Sequence, residues 1–284
     1  MISSLGLGRG RRTVSLVPNY VILILLLLFA LGPICTIFFN SLKTTAESRA
    51  NPLGLPLEGI HWENYPTAWR NGHYSTLARN SAIVTAGTVI GVLVIAGLAA
   101  YSMAVLNLPG ANGLTLYLLV GSSIPSQLFL VPLFFLWTRL HLTNSLMGVI
   151  IIYWGTMSPF ATFLLRSYMV SVPPDFKDAA RIAGASEVQV LRHIMVPIVW
   201  PGFLTAGLTT ALSAWNEFLF AVTFIHRDDL KPIATGLYAF VSRYTRDWGL
   251  TSAASIMMIL PSMVLFLLFQ RQFVEGLTQG GLKV

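Results

Sequence analysis

Long apolar runs are the feature that most restricts the fold of this chain. The first run, Tyr20 to Phe39, contains no charged residue. A helix rises about 1.5 Å per residue and the hydrocarbon core of a bilayer is about 30 Å thick, so about 20 apolar residues cross it. Pro125, Pro132 and Pro261 lie within later runs and are expected to kink their helices. The later runs are 81–106, 114–137, 146–165, 202–224 and 250–269, and together they predict an all-α, polytopic membrane protein with six transmembrane helices.

The composition favours the same class of protein. Hydrophobic residues make up 55% of the 284 positions and charged residues only 10%, whereas soluble domains carry about 25% charged residues. Lipid must therefore cover much of the surface. The single cysteine, Cys35, can form no disulfide within the chain. The 18 Lys and Arg are scattered, which argues against nucleic-acid binding, and the net charge of +7 fits contact with anionic lipid headgroups.

Basic residues beside the first run indicate the orientation. Arg9, Arg11 and Arg12 closely precede it, and positively charged flanks favour the cytoplasmic side of a membrane. Six spans then place both termini in the cytoplasm. All Lys and Arg taken together divide about evenly, roughly nine to each side, so the orientation depends on these arginines. We expect a cytoplasmic N-terminus at 1–19, one membrane domain at 20–270 with an inner loop at 166–201 and outer segments at 40–80, 138–145 and 225–249, and a cytoplasmic tail at 271–284.

The inner loop begins with the pattern of a short helix. Pro173 and Pro174 suit the first turn of a helix, where a missing N–H costs nothing. Asp175 and Asp178 follow, and carboxylates near a helix N-terminus are stabilised by the helix dipole. Gly184 then fits a helix stop in the left-handed conformation. The pattern predicts one helix that ends at a bend.

A second helix is predicted after the bend. Ser186 and Gln189 have the spacing of a capping box, and apolar residues follow at helical spacing as far as Pro197. The first helix has a face of small side chains that includes Ala179 and Ala180. Such a face can enter the cleft of a partner protein, but the loop can equally lie on the lipid headgroups. The residues alone leave both interpretations open.

Residues 178–197 read DAARIAGASEVQVLRHIMVP. This string resembles the signature loop of bacterial ABC importer permeases, which is Glu-Ala-Ala, three residues, Gly, nine residues and Ile-x-Leu-Pro. The spacing agrees throughout, and three residues differ. Asp178 replaces Glu and keeps the charge on a shorter side chain, Val196 replaces Leu, and Ala183 lacks the carboxylate that often precedes the glycine.

Other segments resemble the maltose-type sugar importer permeases, and in particular their smaller six-helix subunit. These segments are Asn80-Ser81, Ala100-Tyr101-Ser102, WNEFLF at 215–220 and GLTQGGLK at 276–283. The resemblance implies a permease of the bacterial cell (inner) membrane that moves a sugar by ATP-driven alternating access. It also implies as partners a second permease subunit, two copies of an ATP-binding subunit, an extracytoplasmic solute-binding protein and membrane lipid.

The chain is not expected to be an enzyme, because it has no GxxxxGK[ST] sequence to hold ATP. No cofactor or metal is expected in this chain, and ATP and Mg would be bound by the partner ATPase. By the resemblance, the coupling loop, as we name residues 166–201, contacts that ATPase. Its expected contact residues are Asp178, Ala179, Ala180, Gly184, Ala185, Ile194 and Pro197.

Three further groups of site residues are expected, each with a plain alternative. The glycines of the tail predict an extended chain, and this tail either contacts the ATPase or is a frayed terminus. The outer loop either contacts the binding protein or is a solvated loop with interfacial aromatics. The translocation path needs hydrogen-bonding and stacking groups, although Glu217 can instead cap a helix end. The residues are Thr278, Gln279, Gly280 and Gly281 in the tail, Arg243, Tyr244, Arg246 and Trp248 in the outer loop, and Tyr153, Trp215, Asn216 and Glu217 in the path.

Other functions are weighed against the same sequence. Within ABC importers the substrate could instead be glycerol-phosphate, a peptide, a metal or an amino acid. An ion-coupled secondary transporter usually has repeated halves and buried acids, but Glu217 is the only acid within a predicted span. A membrane enzyme needs a metal or nucleophile constellation, and the five histidines are dispersed, with no HExxH or GxSxG sequence.

Overall fold

A computed structural model of the chain describes residues 17–106, 108–244 and 247–281, without the side chains of residues 273–281. Within these ranges the chain is built from α-helices, two short 3-10 helices, one π-helical turn and connecting turns. The helices are α1 Val17–Ser41, α2 Thr45–Ala50, α3 Asn64–Asn71, α4 Tyr74–Ala104, α5 Ala111–Ser123, α6 Leu130–Arg139, α7 Leu146–Val170, α8 Pro174–Ile182, α9 Glu187–Val190, α10 Val196–Ile198, α11 Trp200–Asn216, α12 Leu219–Phe224, α13 Ile233–Arg243 and α14 Trp248–Gly281.

In the described part of the chain, four helices are long and apolar enough to cross a bilayer by themselves: α1, α4, α7 and the first 25 residues of α14. Two bent pairs raise the number of candidate spans to six if each pair counts as one span. In the first pair the chain turns by 85° between Ala111–Ser123 and Ser126–Arg139. The break falls at Pro125, one of the three residues expected to cause a kink. The third apolar run is therefore bent and does not form one straight helix.

The fifth apolar run also differs from its prediction as a single span at 202–224. Helix α11 ends at Asn216, Glu217 adopts an extended backbone, and α12 begins at Leu219. The second bent pair joins Glu187–Ile198 to α11 at 80°. The polar Asn216-Glu217 pair thus interrupts the run. Buried polar side chains are stable only where neighbouring groups form hydrogen bonds with them, and a break in the helix exposes backbone groups that can do so.

Helices α4, α7 and α11 form the centre of the fold, and each packs against the other two. Small residues allow close approach: the Trp154 indole of α7 lies over Gly91 and donates to the carbonyl oxygen of Gly87 at 2.9 Å. Phe203 of α11 lies against Gly97 in the same way. Lipid supplies no hydrophobic drive for helix association, so such close packing is the main source of stability in a membrane.

The segments expected on the outer side meet at one end of this bundle. Asn80 Nδ2 donates to the carbonyl oxygens of Asp229 and Lys231 at 2.9 and 3.1 Å. Asn144 Oδ1 accepts from the backbone N–H of His226 at 2.7 Å. We call this the outer end. Arg166 Nη2 donates to Asn112 Oδ1 at 3.1 Å at the opposite, inner end, which also carries the coupling loop.

Two predicted conformations are wrong. The tail, expected to be extended, continues α14 as a helix to Gly281 and passes through Pro261. A glycine in a helix costs only about 1 kcal/mol relative to alanine, so a helix that is already formed can include a few glycines. The charged outer segment, expected to be a loop, contains α13, whose Ile233 and Phe240 are buried in the core.

The α6–α7 turn offers a test of this packing. A methyl group at Gly148 would overlap the carbonyl oxygen of Leu142, whereas one at Gly155 in the same helix would meet nothing within 4 Å. We expect Gly148→Ala to destabilise the protein by about 1–3 kcal/mol through overpacking. Gly155→Ala should be neutral or stabilising, since alanine favours helix interiors by about 0.5–1 kcal/mol. Thermal unfolding in detergent measures both, and equal melting temperatures would contradict the described packing.

Candidate coupling and translocation sites

The bend in the coupling loop forms as its sequence predicts. Helix α8 begins at Pro174 and ends at Ile182, and Gly184 has a φ of +83°. The N–H of Ala185 donates to the carbonyl oxygen of Ala180, and the N–H of Gly184 to that of Arg181, both at 3.0 Å. These two bonds close a Schellman motif, in which glycine is preferred because the left-handed conformation places a Cβ too close to the backbone.

The second helix of the loop also begins as predicted. Ser186 and Gln189 form the capping box, with Ser186 N donating to Gln189 Oε1 at 2.8 Å. Helix α9 leads into one π-helical turn at Leu191–Met195 and then into α10, so the helix continues past Pro197 to Ile198. π-helical geometry occurs mostly as single turns inside α-helices, and a proline within a helix removes one backbone hydrogen bond.

The two arms of the loop have different environments. Val190, Met195 and Val199 of the second arm are buried in a core cluster with Tyr101 of α4 and Leu165 of α7. The first arm, α8, is exposed, and its apolar side chains face outward: Ile182 is 89% exposed and Phe176 52% exposed. One arm is therefore anchored in the membrane bundle while the other projects from it.

The expected coupling residues follow this division. Asp178, Ala179, Gly184 and Pro197 are exposed, whereas Ala180, Ala185 and Ile194 are partly buried. Asp178 lies 3.7 Å from Arg181 Nη1. Ala180 and Ala185 pack against the core cluster, and the exposed residues are accessible from outside the bundle. Among the expected tail residues, Thr278 to Gly281 are helical in backbone and their side chains lie outside the described part of the chain.

A carboxylate at the bend was not identified from the sequence. Arg181 Nε donates to Glu187 Oε1 at 2.8 Å, and the Tyr101 hydroxyl donates to Glu187 Oε2 at 2.5 Å. The Arg181 guanidinium, followed by the Tyr101 hydroxyl, lowers the pKa of the Glu187 carboxyl below its ordinary value. Arg181 and Glu187 are six residues apart across a bend, and this separation matches no helical spacing. Tyr101 belongs to the Ala100-Tyr101-Ser102 segment that resembles the sugar permeases, but that resemblance does not indicate its contact with Glu187.

Glu217 lies at a break in the bundle and is well paired. Its Oε1 accepts from the N–H of Phe220 at 2.9 Å, and its Oε2 accepts from the N–H of Ala221 at 3.2 Å and from the Tyr153 hydroxyl at 2.5 Å. The carboxylate thus caps the N-terminus of α12. It also lines a cavity of about 730 Å³, the Glu217 cavity, between the α5–α6 bend and α7. Other lining residues are Ser123, Ser126, Gln127, Trp137 and Thr156.

The expected path residues divide into two pairs. Tyr153 donates to Glu217, which lines the Glu217 cavity, whereas Trp215 and Asn216 face α14. Trp215 Nε1 donates to the carbonyl oxygen of Met258 at 3.3 Å, and Asn216 Nδ2 lies 3.3 Å from Ser262 Oγ. The structure therefore does not bring these four side chains to one surface.

A basic cleft of about 540 Å³ opens at the outer end between α12 and α13. His226, Lys231 and Arg243 line it together with Tyr238. Lys231 Nζ lies 2.6 Å from the exposed carboxylate of Asp228 and lowers the pKa of that carboxyl. We call this the outer cleft.

The other residues expected to contact the binding protein have separate positions. Tyr244 packs on Phe240 with ring centroids 4.5 Å apart. Trp248 is exposed at the start of α14, and Arg246 lies outside the described residues. Among the described members of this group, Arg243 alone lines the outer cleft.

Residues 91–278 match the family described as binding-protein-dependent transport system inner membrane component. The chain belongs to this family. It is 33% identical to the sulfoquinovosyl glycerol transport system permease protein SmoH of Agrobacterium fabrum, over 91% of each chain. It is 30% identical to the arabinooligosaccharides transport system permease protein AraQ of Bacillus subtilis, over 95% of each chain.

A solved structure shows the same fold. This is a chain of a bacterial ABC transporter involved in the import of the acidic polysaccharide alginate, with a TM-score of 0.79 and 23% sequence identity, covering 90% of this chain and 95% of the other. The predicted all-α permease fold is confirmed. The protein is a multi-pass permease subunit of a binding-protein-dependent ABC importer, a transport subunit and not an enzyme.

The capping geometry of this permease predicts the effect of removing Glu217. Glu217→Ala leaves the Tyr153 hydroxyl and the amides of Phe220 and Ala221 without their acceptor. Each unpaired buried group costs about 1–3 kcal/mol, so we expect a lower melting temperature in detergent. Glu217→Gln retains one acceptor oxygen and should lose less. A Glu217→Ala protein that melts like wild type would show that these bonds do not hold α12.

Proposed function

We propose that this permease moves a sugar or oligosaccharide into the cell as one half of a permease heterodimer. The second half would be another permease subunit, and two copies of an ATP-binding subunit would bind ATP and Mg and supply the energy. The observation that carries the proposal is the exposed helix α8, joined at a left-handed glycine to an arm that is buried in the membrane bundle.

This geometry suits the transmission of movement. The exposed apolar and small side chains of α8 can bind a cleft in the ATPase, where burial of Ile182 and Phe176 favours binding. Closure of two ATPase subunits around ATP would then move α8, and the buried arm would carry the movement to α4 and α7. ATP can shift the permease between inward-open and outward-open states only if it binds the two states with different affinity.

The Glu217 cavity supports a carbohydrate as substrate. Its volume of about 730 Å³ is within the range of small-molecule sites, and hydroxyl, amide and carboxylate groups share it with Trp137 and Phe129. Sugars are bound by such polar groups together with aromatic faces. The names of SmoH and AraQ, both carbohydrate transport systems, agree with this substrate class.

We assign the inner end to the cytoplasm and the outer end to the binding protein. The arginines at positions 9, 11 and 12 favour a cytoplasmic N-terminus, and six spans return the C-terminus to that side. The outer cleft with Arg243 would then face the binding protein, and its positive charge suits acidic side chains on that partner. Thr278 to Gly281 would contact the ATPase from the helical tail.

The substrate is tested with the cognate extracytoplasmic binding protein and with the assembled transporter in proteoliposomes. A panel of labelled mono- and oligosaccharides is compared with glycerol-phosphate and with short peptides. We expect uptake of a carbohydrate that depends on ATP, on the binding protein and on this subunit. ATP-dependent uptake of a peptide or of glycerol-phosphate alone would overturn the carbohydrate assignment, and uptake driven by an ion gradient would overturn the whole proposal.

The coupling role predicts the effect of two substitutions in α8 and its bend. Gly184→Val forces a branched side chain into the left-handed region, where a Cβ alone costs about 1–2 kcal/mol. Asp178→Lys reverses a charge on the exposed arm. Both should reduce substrate-stimulated ATPase activity at least about fivefold, or release the ATPase subunit.

Matched controls separate coupling from general strain. Gly110→Val places the same strain at φ +85°, also with no neighbour within 4 Å, but outside the coupling loop. Glu58→Lys makes a charge reversal on an exposed residue of the outer segment 40–80. Both controls should keep ATPase stimulation, and wild-type stimulation in Gly184→Val and Asp178→Lys would refute the coupling assignment.

The outer cleft predicts a second effect. Arg243→Glu replaces a cation that lines the cleft and should weaken binding-protein stimulation of the ATPase several-fold, more strongly at low salt, because the contact is electrostatic. Arg139→Glu changes an exposed arginine of α6 that does not line the cleft and serves as control. The measurement is the binding-protein concentration that gives half-maximal ATPase activity. Equal values for the two variants would show that the outer cleft is not part of the docking surface for the binding protein.

A further inference from the structure

We infer that Glu187, held between Arg181 and Tyr101, fixes the angle of α8 and connects its movement to α4, so that Tyr101 and Glu187 are positioning residues for energy coupling. The inference rests on the proposed function. It concerns residues outside the set expected to touch the ATPase, and it begins from the covalent connection between the two arms of the coupling loop.

That connection is short. The arms are joined through Gly184 and Ala185, and glycine has the widest range of backbone conformations. Two backbone hydrogen bonds hold the bend locally, and a force applied to α8 acts on this short joint first. The ion pair between Arg181 on α8 and Glu187 on α9 spans the joint at 2.8 Å and opposes its bending.

The same carboxylate reaches the bundle. Its second oxygen accepts from the Tyr101 hydroxyl, and Tyr101, near the inner end of α4, is only 4% exposed. Glu187 is also the first residue of α9, where the helix dipole stabilises a negative charge. One carboxylate therefore joins three helices, α8, α9 and α4.

Stability of the fold is a poor explanation for the ion pair. The side chains of Arg181 and Glu187 are 36% and 44% exposed, and exposed ion pairs contribute little to stability. The ion pair instead restricts the angle between the two arms, because charge-assisted hydrogen bonds have narrow preferred distances and directions. Helix α4 packs along α7 and α11, so a movement that reaches Tyr101 reaches the centre of the bundle.

Tyr101→Phe in the assembled transporter is the main test. The side chain is buried, so the missing hydroxyl cannot act through direct contact with the ATPase. We expect the ratio of substrate-stimulated to basal ATPase activity to fall about fivefold or more, while the ATPase subunit still copurifies. The matched control is Tyr74→Phe, which removes a buried hydroxyl from the outer end of the same helix, where it donates to the carbonyl oxygen of Ala254.

Glu187→Gln provides a second variant on a half-exposed side chain, where folding is not at risk. Because Tyr101 acts through Glu187, the double variant should be no worse than Glu187→Gln alone. Additive losses, or wild-type coupling in Tyr101→Phe, would overturn the inference while the proposed function stands. An equal fall in the ratio of substrate-stimulated to basal ATPase activity in Tyr74→Phe would also overturn it. If the wild-type complex shows no substrate-stimulated ATPase activity, the proposed function fails and the inference fails with it.

Discussion

The absence of hydrogen-bond partners in lipid is the constraint on which the rest of this structure depends. Every backbone N–H and C=O within the bilayer must be paired by the protein itself, so the apolar runs form helices. A break in a helix is tolerated only where other groups replace the lost bonds. At the end of α11 the carboxylate of Glu217 supplies them, because it accepts from the amides of Phe220 and Ala221. The break therefore depends on Glu217 to pair the freed amides, and the Glu217 side chain depends on those amides for its hydrogen bonds.

The same constraint explains where the irregular backbone of this permease lies. Irregular backbone at membrane depth is stable beside a protein-lined cavity, and the α5–α6 bend and the α11–α12 break both border the Glu217 cavity. Water can pair the backbone freely at the inner end, so the chain there can form a left-handed turn at Gly184 without help from distant residues. The Glu217 cavity and the bend of the coupling loop thus occupy the two kinds of place where irregular backbone is stable.

Local patterns made much of the fold predictable. Gly184 and the Ser186–Gln189 pair specify their turns through bonds to near neighbours, and length alone identified the apolar runs. Contacts between distant residues could not be predicted: Tyr101 and Glu187 are 86 positions apart, and one sequence contains no record of which helices pack together. The glycines of the tail favour an extended chain, but a formed helix tends to continue through a few glycines, and α14 does so to Gly281.

Helix α4 has a position that no local pattern indicates. Near its outer end Asn80 and Ser81 hold the backbone of the 229–233 segment through bonds to Asp229, Lys231 and Ile233. Tyr101 holds the coupling loop 21 residues later, which is about 30 Å along a helix. A single rod therefore bonds the segment beside the outer cleft and the bend beside α8. Because α4 is one continuous helix of 31 residues, the proposed coupling needs no additional element to connect these two ends.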